Sequence, residues 1–226
     1  MKNITDIQFK IEVANIKNQY QDDLKVKLPE FRIVFKKEHF PIVTKFDDNG
    51  FYIEIAKIHL SVCENYFKSL LYHEFTHLCD LQEAKKLKLP TIELNGFSEI
   101  RAGYIEAKCL FNLFSNNSIR LTNEIKYLGS IASVEEIIND KFTETFKDDI
   151  IHQIKSMQYF LGCLICLNEY CKELNKENYL KKLKDFFGPA VILLYNNLKV
   201  PLDFSIENMA MCSVYMEEIL SHIKRK

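Results

Sequence analysis

The sequence predicts an α+β protein that is predominantly helical. Glycine and proline are scarce among the 226 residues, at six and five, which indicates few long loops. Short alternating patterns typical of strands are confined to residues 31–60. Segments with helical periodicity occupy most of the remaining chain. We therefore expect one small sheet in an otherwise helical protein.

The N-terminal part predicts a helix followed by three strands in an antiparallel meander. The apolar positions of residues 4–22 follow an amphipathic helix. Strands are expected at 31–36, 42–46 and 51–60, and Asp47-Asp48-Asn49-Gly50 predicts the turn between the last two. A shift of the apolar positions near Ala56-Lys57 indicates a bulge in the third strand.

Two further helices are expected in the middle of the chain. The first runs from Ser61, a good N-cap with Glu64 three residues later, to about Leu89, where Pro90 disfavours continuation. Asn95-Gly96 predicts a turn, after which a second helix starts at Ser98 and reaches Phe111 or slightly beyond. The remaining chain predicts helices near 119–128, 133–147, 149–173, 176–199 and 205–224, with a break at Gly188-Pro189 in the fourth of these.

Composition favours a soluble cytoplasmic protein. The net charge of −1 gives no indication of nucleic-acid or membrane binding, and no apolar run has transmembrane length. The first six residues are too polar for a secretory signal. Seven cysteines, an odd number, predict reduced thiols rather than a disulfide framework. The pair Cys163 and Cys166 lies in an apolar helical segment and is expected to be buried core.

The stretch His73-Glu74-Phe75-Thr76-His77 carries the strongest chemical signal in the chain. It has the form H-E-x-x-H, and on a helix the two histidines, four residues apart, lie on one face and can bind one metal ion. Two neutral imidazoles suit zinc, and a third protein ligand leaves a position open for water. Glu74 is then placed to act as a general base on that water.

Three glutamates could supply the third ligand, namely Glu93, Glu99 and Glu106. Glu99 and Glu106 lie two turns apart on the second predicted helix, with Ala102 and Gly103 between them on the same side. Small residues at these two positions would let this helix approach the metal-binding helix closely.

The arrangement resembles the gluzincin branch of zinc metallopeptidases, in which a helix carrying a glutamate ligand follows H-E-x-x-H after a short connection. Here 21 residues separate His77 from Glu99, and Ser98-Glu99-Ile100-Arg101-Ala102-Gly103-Tyr104 resembles the S-E-x-x-A-x-Y helix start of many small gluzincins. The resemblance covers residues 30–115 and implies one Zn²⁺ per chain bound by His73, His77 and Glu99. Glu106 is the alternative third ligand.

This resemblance also implies a fold and an activity. It predicts a zincin-like domain at 1–115, with an N-terminal helix, a short antiparallel sheet, an active-site helix and a glutamate helix. An all-helical subdomain at 116–226 would complete the cleft. The implied activity is hydrolysis of peptide bonds, with a peptide or protein as substrate. The oligomeric state is left open.

One position departs from the resemblance. Thermolysin-like members carry an aspartate four residues after the ligand glutamate, where it orients a histidine, and this chain has Gly103. The orienting group must therefore come from Asp80, Glu106 or a backbone carbonyl. Candidates for stabilising an oxyanion are Tyr104, Arg101 and His152, each of which also has an ordinary structural explanation.

Two alternatives to a peptidase remain open from the sequence. A catalytically inactive zincin fold could serve as a binding or interaction module, although the intact Glu74 argues against this. A zinc hydrolase could act on a non-peptide amide or ester.

Overall fold

The computed structural model describes residues 5–36, 42–56, 64–89, 91–147, 149–198, 200 and 202–225, with only the backbone described for 64 and 91–95. These residues form eight helices and five strands. The helices are α1 (Asp6–Leu24), α2 (Glu64–Leu87), α3 (Thr91–Leu110), α4 (Val134–Glu144), α5 (Ile150–Tyr170), α6 (Lys176–Phe187), α7 (Ala190–Asn197) and α8 (Ile206–Ile223). The strands are β1 (Phe31–Lys36), β2 (Val43–Asp47), β3 (Gly50–Ala56), β4 (Glu124–Tyr127) and β5 (Ser130–Ser133). The α+β, mostly helical class is thus confirmed.

The N-terminal helix α1 lies close to its predicted position. Thr5 and Gln8 form a capping box, which satisfies backbone donors at the start of the helix. Four side chains on one face are buried, namely Phe9, Val13, Ile16 and Tyr20. The helix ends where Lys25 adopts a left-handed conformation, with φ of 54°.

The first sheet is mixed, so the predicted antiparallel meander is wrong. The strand order is β1-β3-β2, with β1 parallel to β3 and β2 antiparallel to it. The turn at Asp48-Asn49 pairs β2 with β3 as expected. The most buried strand, β3, takes the centre with Ile53 and Ile55, and β1 pairs with its other edge. Alternation along a strand specifies its faces but not its neighbours, so the order could not be read from the pattern.

A charged group on the central strand connects all three strands. Glu54 of β3 forms ion pairs with Lys36 of β1 at 2.9 Å and with Lys45 of β2 at 2.7 Å. Like charges on the two outer strands are therefore balanced by one carboxylate between them. The predicted bulge near Ala56-Lys57 lies largely outside the described residues.

The two central helices, α2 and α3, pack against each other. α2 agrees with its prediction, although its proposed N-cap, Ser61, lies outside the described residues. α3 begins at Thr91, seven residues before the predicted start, so the predicted turn at Asn95-Gly96 is wrong. A side chain at Gly96 would meet the side chains of Cys212 and Met216 at 3.2 and 3.3 Å, so this glycine serves close packing within a helix.

A pair of glycines allows α3 and α5 to cross in close contact. A Cβ at Gly103 would lie 2.4 Å from the backbone oxygen of Tyr159, and one at Gly162 would lie 2.0 Å from that of Ile100. Both distances are far below van der Waals contact, so only glycine permits this approach. The site that carries an aspartate in thermolysin-like proteins is therefore occupied here by a packing contact.

The predicted helix at 119–128 is wrong, because residues 124–133 form the hairpin β4–β5. Leu128 and Gly129 have φ of 47° and 84°, which is the geometry of a two-residue turn matched to strand twist. Beyond the hairpin the predictions are confirmed. Ser133 caps α4, Asp149 caps α5 and Ser205 caps α8, and Gly188, with φ of 89°, divides the fourth predicted helix into α6 and α7.

A single continuous hydrophobic core connects α1 with the C-terminal helices. Among the described residues, only α5 is long and apolar enough to cross a membrane, and 56% of its apolar window is buried inside the protein. This is the expected property of a core helix and is consistent with a soluble protein. Cys163 and Cys166 are buried within it, as predicted. The division of the chain at residue 115 stays a prediction.

Candidate metal centre

Two imidazoles on α2 meet at the base of a cleft. His73 and His77 are one turn apart, and their ring centroids lie 4.7 Å from each other. The two Nε2 atoms are 3.0 Å apart. The helical spacing alone brings the rings to one face, and the tertiary packing turns the same nitrogen of each ring toward one point.

Glu99 of α3 supplies the third donor at this point. Its Oε1 lies 3.5 Å from Nε2 of His73, and its Oε2 lies 3.5 Å from Nε2 of His77. The three side chains each place one donor atom within 4.8 Å of the others, so together they could hold a metal ion. Glu99 is a partly exposed residue in a mostly buried part of α3, with 24% of its side chain accessible.

The spacing of these donors fits a small tetrahedral ion. Tetrahedral ligands at about 2.0–2.1 Å from zinc lie roughly 3.3 Å from one another. The observed separations of 3.0, 3.5 and 3.5 Å surround that value. The two 3.5 Å separations end on different oxygens of Glu99, and the chemistry and spacing of the three side chains fit a three-ligand site.

Glu106 occupies a different place from the other predicted ligands. Its Oε2 lies 3.2 Å from Nδ1 of His73, on the side of the ring away from the donor cluster. This is the position in which a carboxylate orients a metal-binding histidine. The contact lacks hydrogen-bond geometry, so Nδ1 of His73 has no hydrogen bond among the described residues, and Glu106 is the carboxylate beside Nδ1 that could orient this ring. The side chain of Glu93, the remaining candidate, lies outside the described residues.

His77 is oriented by a longer chain of polar groups. Its Nδ1 lies 2.8 Å from the hydroxyl of Ser98, which donates to Asp80 at 2.7 Å. Arg101 donates to the other oxygen of Asp80 and, through Nε, to the backbone oxygen of Leu202 at 2.9 Å. All members behind the histidine are buried, so the chain fixes the ring against the protein interior.

Charges around the donors shift their protonation in the metal-free protein. Burial would lower the pKa of His73, but the carboxylates of Glu106 and Glu99 outweigh it and raise that pKa well above its usual value. Burial would raise the pKa of Glu99, but hydrogen bonds and charge from His73 and His77 hold it far below the usual range. The carboxylates around His73 therefore favour its protonated form, and a metal ion would compete with that proton.

Glu74 faces the same cleft from the metal-binding helix. Its carboxylate accepts a 2.6 Å hydrogen bond from the backbone N–H of Thr44, and its backbone oxygen accepts one from the Thr44 hydroxyl at 3.0 Å. Burial raises the pKa of Glu74, against the opposing charges of the two histidines and the bond from Thr44. A carboxylate with a raised pKa is a more effective proton acceptor near neutral pH.

The cleft above these residues has a volume of ≈800 Å³. Strand β2 forms one wall and the first half of α5 forms the other. Besides the site residues, its lining includes Lys45, Phe46, Leu81, His152, Lys155 and Tyr159. A cleft of this size accommodates several residues of a peptide or a small molecule.

The structure separates the three oxyanion candidates. Arg101 is buried in its ion pair with Asp80, and the hydroxyl of Tyr104 donates to Glu169 at 2.7 Å. Both are therefore structural. His152 lines the cleft and stays a candidate.

Several site residues could not be identified from the sequence. Thr44 lies in an ordinary strand pattern, Tyr159 in an apolar helix, and Lys141 in an amphipathic one. Each reaches the site from an element distant in sequence, and no local spacing marks it.

Comparisons with protein-family models, with curated protein sequences and with solved structures found no match to this chain.

Proposed function

We propose that this protein is a zinc-dependent metallopeptidase of the gluzincin type. The observation that carries the proposal is the convergence of His73, His77 and Glu99 on one point of a cleft that Glu74 also lines. Two imidazoles and one carboxylate are the ligand set of catalytic zinc sites that keep an open position. The proposed location, the cytoplasm, agrees with the free thiols of the six described cysteines.

The order of the elements around the site supports a zincin-like fold. A small sheet precedes the helix with the two histidines, and the next helix carries the glutamate. The sheet presents β2 as an edge strand along the cleft. These features match the expected arrangement, except that the sheet is mixed rather than antiparallel.

Each proposed chemical role belongs to a residue with a defined environment. Zinc held by the three ligands would activate water and polarise a substrate carbonyl. Glu74, held by Thr44, accepts the proton of the attacking water and delivers it to the departing amine. His152 lines the wall opposite β2 and is the candidate to interact with the carbonyl oxygen as charge develops on it.

The edge of β2 offers a way to bind an extended chain. Thr44 directs its backbone N–H away from β3, because that N–H bonds to Glu74 in the cleft. By strand alternation, the backbone of Phe46 faces the same side. A peptide could pair with the outward backbone groups of β2 other than the Thr44 N–H, which Glu74 already engages, and such pairing would favour a peptide over an isolated amide or ester.

The experiment that tests this function compares the wild type with Glu74→Gln. Zinc content per chain is measured by elemental analysis, and cleavage is measured on a peptide library. We expect equal zinc in both proteins and a loss of hydrolysis of about 10²–10⁴-fold in the variant. Zinc binding without cleavage in the wild type would favour a binding module or a non-peptide substrate, and full activity in Glu74→Gln would exclude Glu74 as the base.

A further inference from the structure

A buried charged cluster lies directly behind the metal centre. Lys141 of α4 is only 7% exposed, and its Nζ lies 3.1 Å from Oε1 of Glu106, which is 2% exposed. Lys141 also donates to the hydroxyl of Tyr159, and that hydroxyl donates to the same Oε1 at 2.5 Å. Three elements, α3, α4 and α5, therefore meet at one carboxylate oxygen.

The cluster leaves the second oxygen of Glu106 for the histidine. Since Lys141 and Tyr159 both engage Oε1, the carboxylate is fixed in the orientation that places Oε2 3.2 Å from Nδ1 of His73. The Tyr159 ring also packs on the imidazole, with centroids 5.6 Å apart. The Glu106 carboxylate at the edge of the imidazole and the Tyr159 ring against its face therefore both restrict rotation of the His73 side chain.

A purely stabilising role explains this cluster poorly. Burying a lysine and a glutamate costs several kcal/mol of desolvation per ion, and well-packed apolar residues are often at least as stable in such places. The ammonium also stands over the Tyr159 ring, 4.5 Å from its centroid, so the whole group is tightly arranged. Such an arrangement is expected where the orientation of one side chain, here the Glu106 carboxylate, must be fixed.

We propose that Lys141 and Tyr159 are positioning residues of the metal centre, which act through Glu106 to aim Nε2 of His73 at the metal. The inference rests on the proposed metal site. It also explains how the chain manages without an aspartate at position 103. The orienting carboxylate comes from Glu106, about one turn further along α3, and Gly103 lets Tyr159 approach closely enough to hold it.

The test measures metal affinity rather than activity. Lys141→Met and Tyr159→Phe are compared with the wild type by competition for Zn²⁺ with a chromophoric chelator, and by the visible spectrum of the Co²⁺-substituted proteins. We expect each variant to bind Zn²⁺ about 10–100-fold more weakly, the usual effect of losing an outer partner of a metal ligand. The Co²⁺ spectrum should change in the same variants.

Two matched controls distinguish positioning from general packing. Tyr104→Phe removes another buried hydroxyl that donates to a glutamate, and Lys108→Met removes a partly buried lysine that stands over aromatic rings. Both should leave zinc affinity and the Co²⁺ spectrum unchanged. Unfolding by denaturant, in the absence of metal, shows how much stability each variant loses.

Each outcome decides the proposal. If Lys141→Met and Tyr159→Phe lose stability but keep the wild-type zinc affinity, the positioning role is wrong while the proposed function stands. If Lys141→Met does not fold, Tyr159→Phe alone gives the answer, because it retains the ring. A wild type that binds no zinc would overturn both the proposed function and this inference.

Discussion

At the scale of single residues, the structure assigns different tasks to two glutamates on the same helix. Glu99 places Oε1 3.5 Å from Nε2 of His73 and Oε2 3.5 Å from Nε2 of His77, whereas Glu106 lies beside the far nitrogen of the His73 ring. The two glutamates are seven residues apart on one helix, so one carboxylate lies beside Nε2 of His73 and the other lies beside Nδ1. Metal ligation is therefore the role that we propose for Glu99, and orientation of His73 is the role that we propose for Glu106.

Substitution of these two glutamates should have unequal effects on metal content. We expect Glu99→Ala to lose stoichiometric zinc, because only two donors remain. Glu106→Gln should retain zinc with an affinity reduced by about 10–100-fold. Elemental analysis after dialysis, followed by chelator competition, measures both. Retention of zinc by Glu99→Ala together with its loss in Glu106→Gln would reverse the assignment.

The protonation of His73 makes metal binding dependent on pH. Burial opposes its charged form, but Glu106 and Glu99 raise the pKa of the imidazole well above its usual value and so favour the protonated ring. Zinc must displace this proton, and protons compete more strongly as the pH falls.

We therefore expect apparent zinc affinity to rise with pH from 6 to 8, by up to about tenfold per unit for each proton released. Isothermal titration in buffers of different ionisation enthalpy measures the proton count directly. Binding that is independent of pH and releases no proton would show that His73 is already neutral before the metal binds.

At the scale of elements, the crossing of α3 and α5 determines the shape of the site. Gly103 and Gly162 allow the two backbones to touch, and this contact brings Tyr159 to Glu106 and His73. The same crossing places the first half of α5 as the wall opposite β2. The crossing of α3 and α5 therefore affects both the contacts that hold the His73 side chain and the width of the cleft.

Gly103→Ala should destabilise the protein by about 1–3 kcal/mol, because its new methyl group would collide with the backbone of Tyr159, which cannot move alone. Gly96→Ala on the same helix is the matched control. Its nearest neighbours are side-chain atoms at 3.2–3.3 Å, and alanine favours a helix over glycine by about 1 kcal/mol, so the net cost should be smaller. Denaturant unfolding compares the two, and equal costs would argue against a special crossing at Gly103.

At the scale of the whole molecule, the site connects elements that are distant in the chain. β2, α2, α3 and α5 line the cleft, and α4 reaches the same centre from behind. A metal ion bound there would connect α2 with α3, and unfolding would have to release it. Zinc binding should therefore increase the free energy of unfolding of the whole protein.

Free zinc at about 100 times its dissociation constant should stabilise the folded protein by roughly 2.7 kcal/mol, provided that the unfolded chain does not bind it. The measurement is the melting temperature with zinc and with a chelator. The variant His73→Ala serves as the control and should show no difference between the two conditions. A wild type that melts at one temperature in both conditions would contradict a metal site between the helices.

Some of this arrangement follows from the sequence by itself. The four-residue spacing of His73 and His77 forces both rings to one face of a helix, and the spacing of Glu99 and Glu106 places both on the following helix. The helical character and most element positions are likewise local properties of the chain. Such features depend on neighbours within a few residues, and therefore a pattern reveals them.

Only the tertiary structure decided the rest. The sheet order, the hairpin at 124–133 and the helical state of Asn95-Gly96 depend on contacts with distant segments, which override local turn signals. The same holds for Thr44, Lys141 and Tyr159, which reach the centre from three separate elements. A pattern of residues can place two ligands on a helix, but which buried groups hold them is determined by long-range packing that no local spacing encodes.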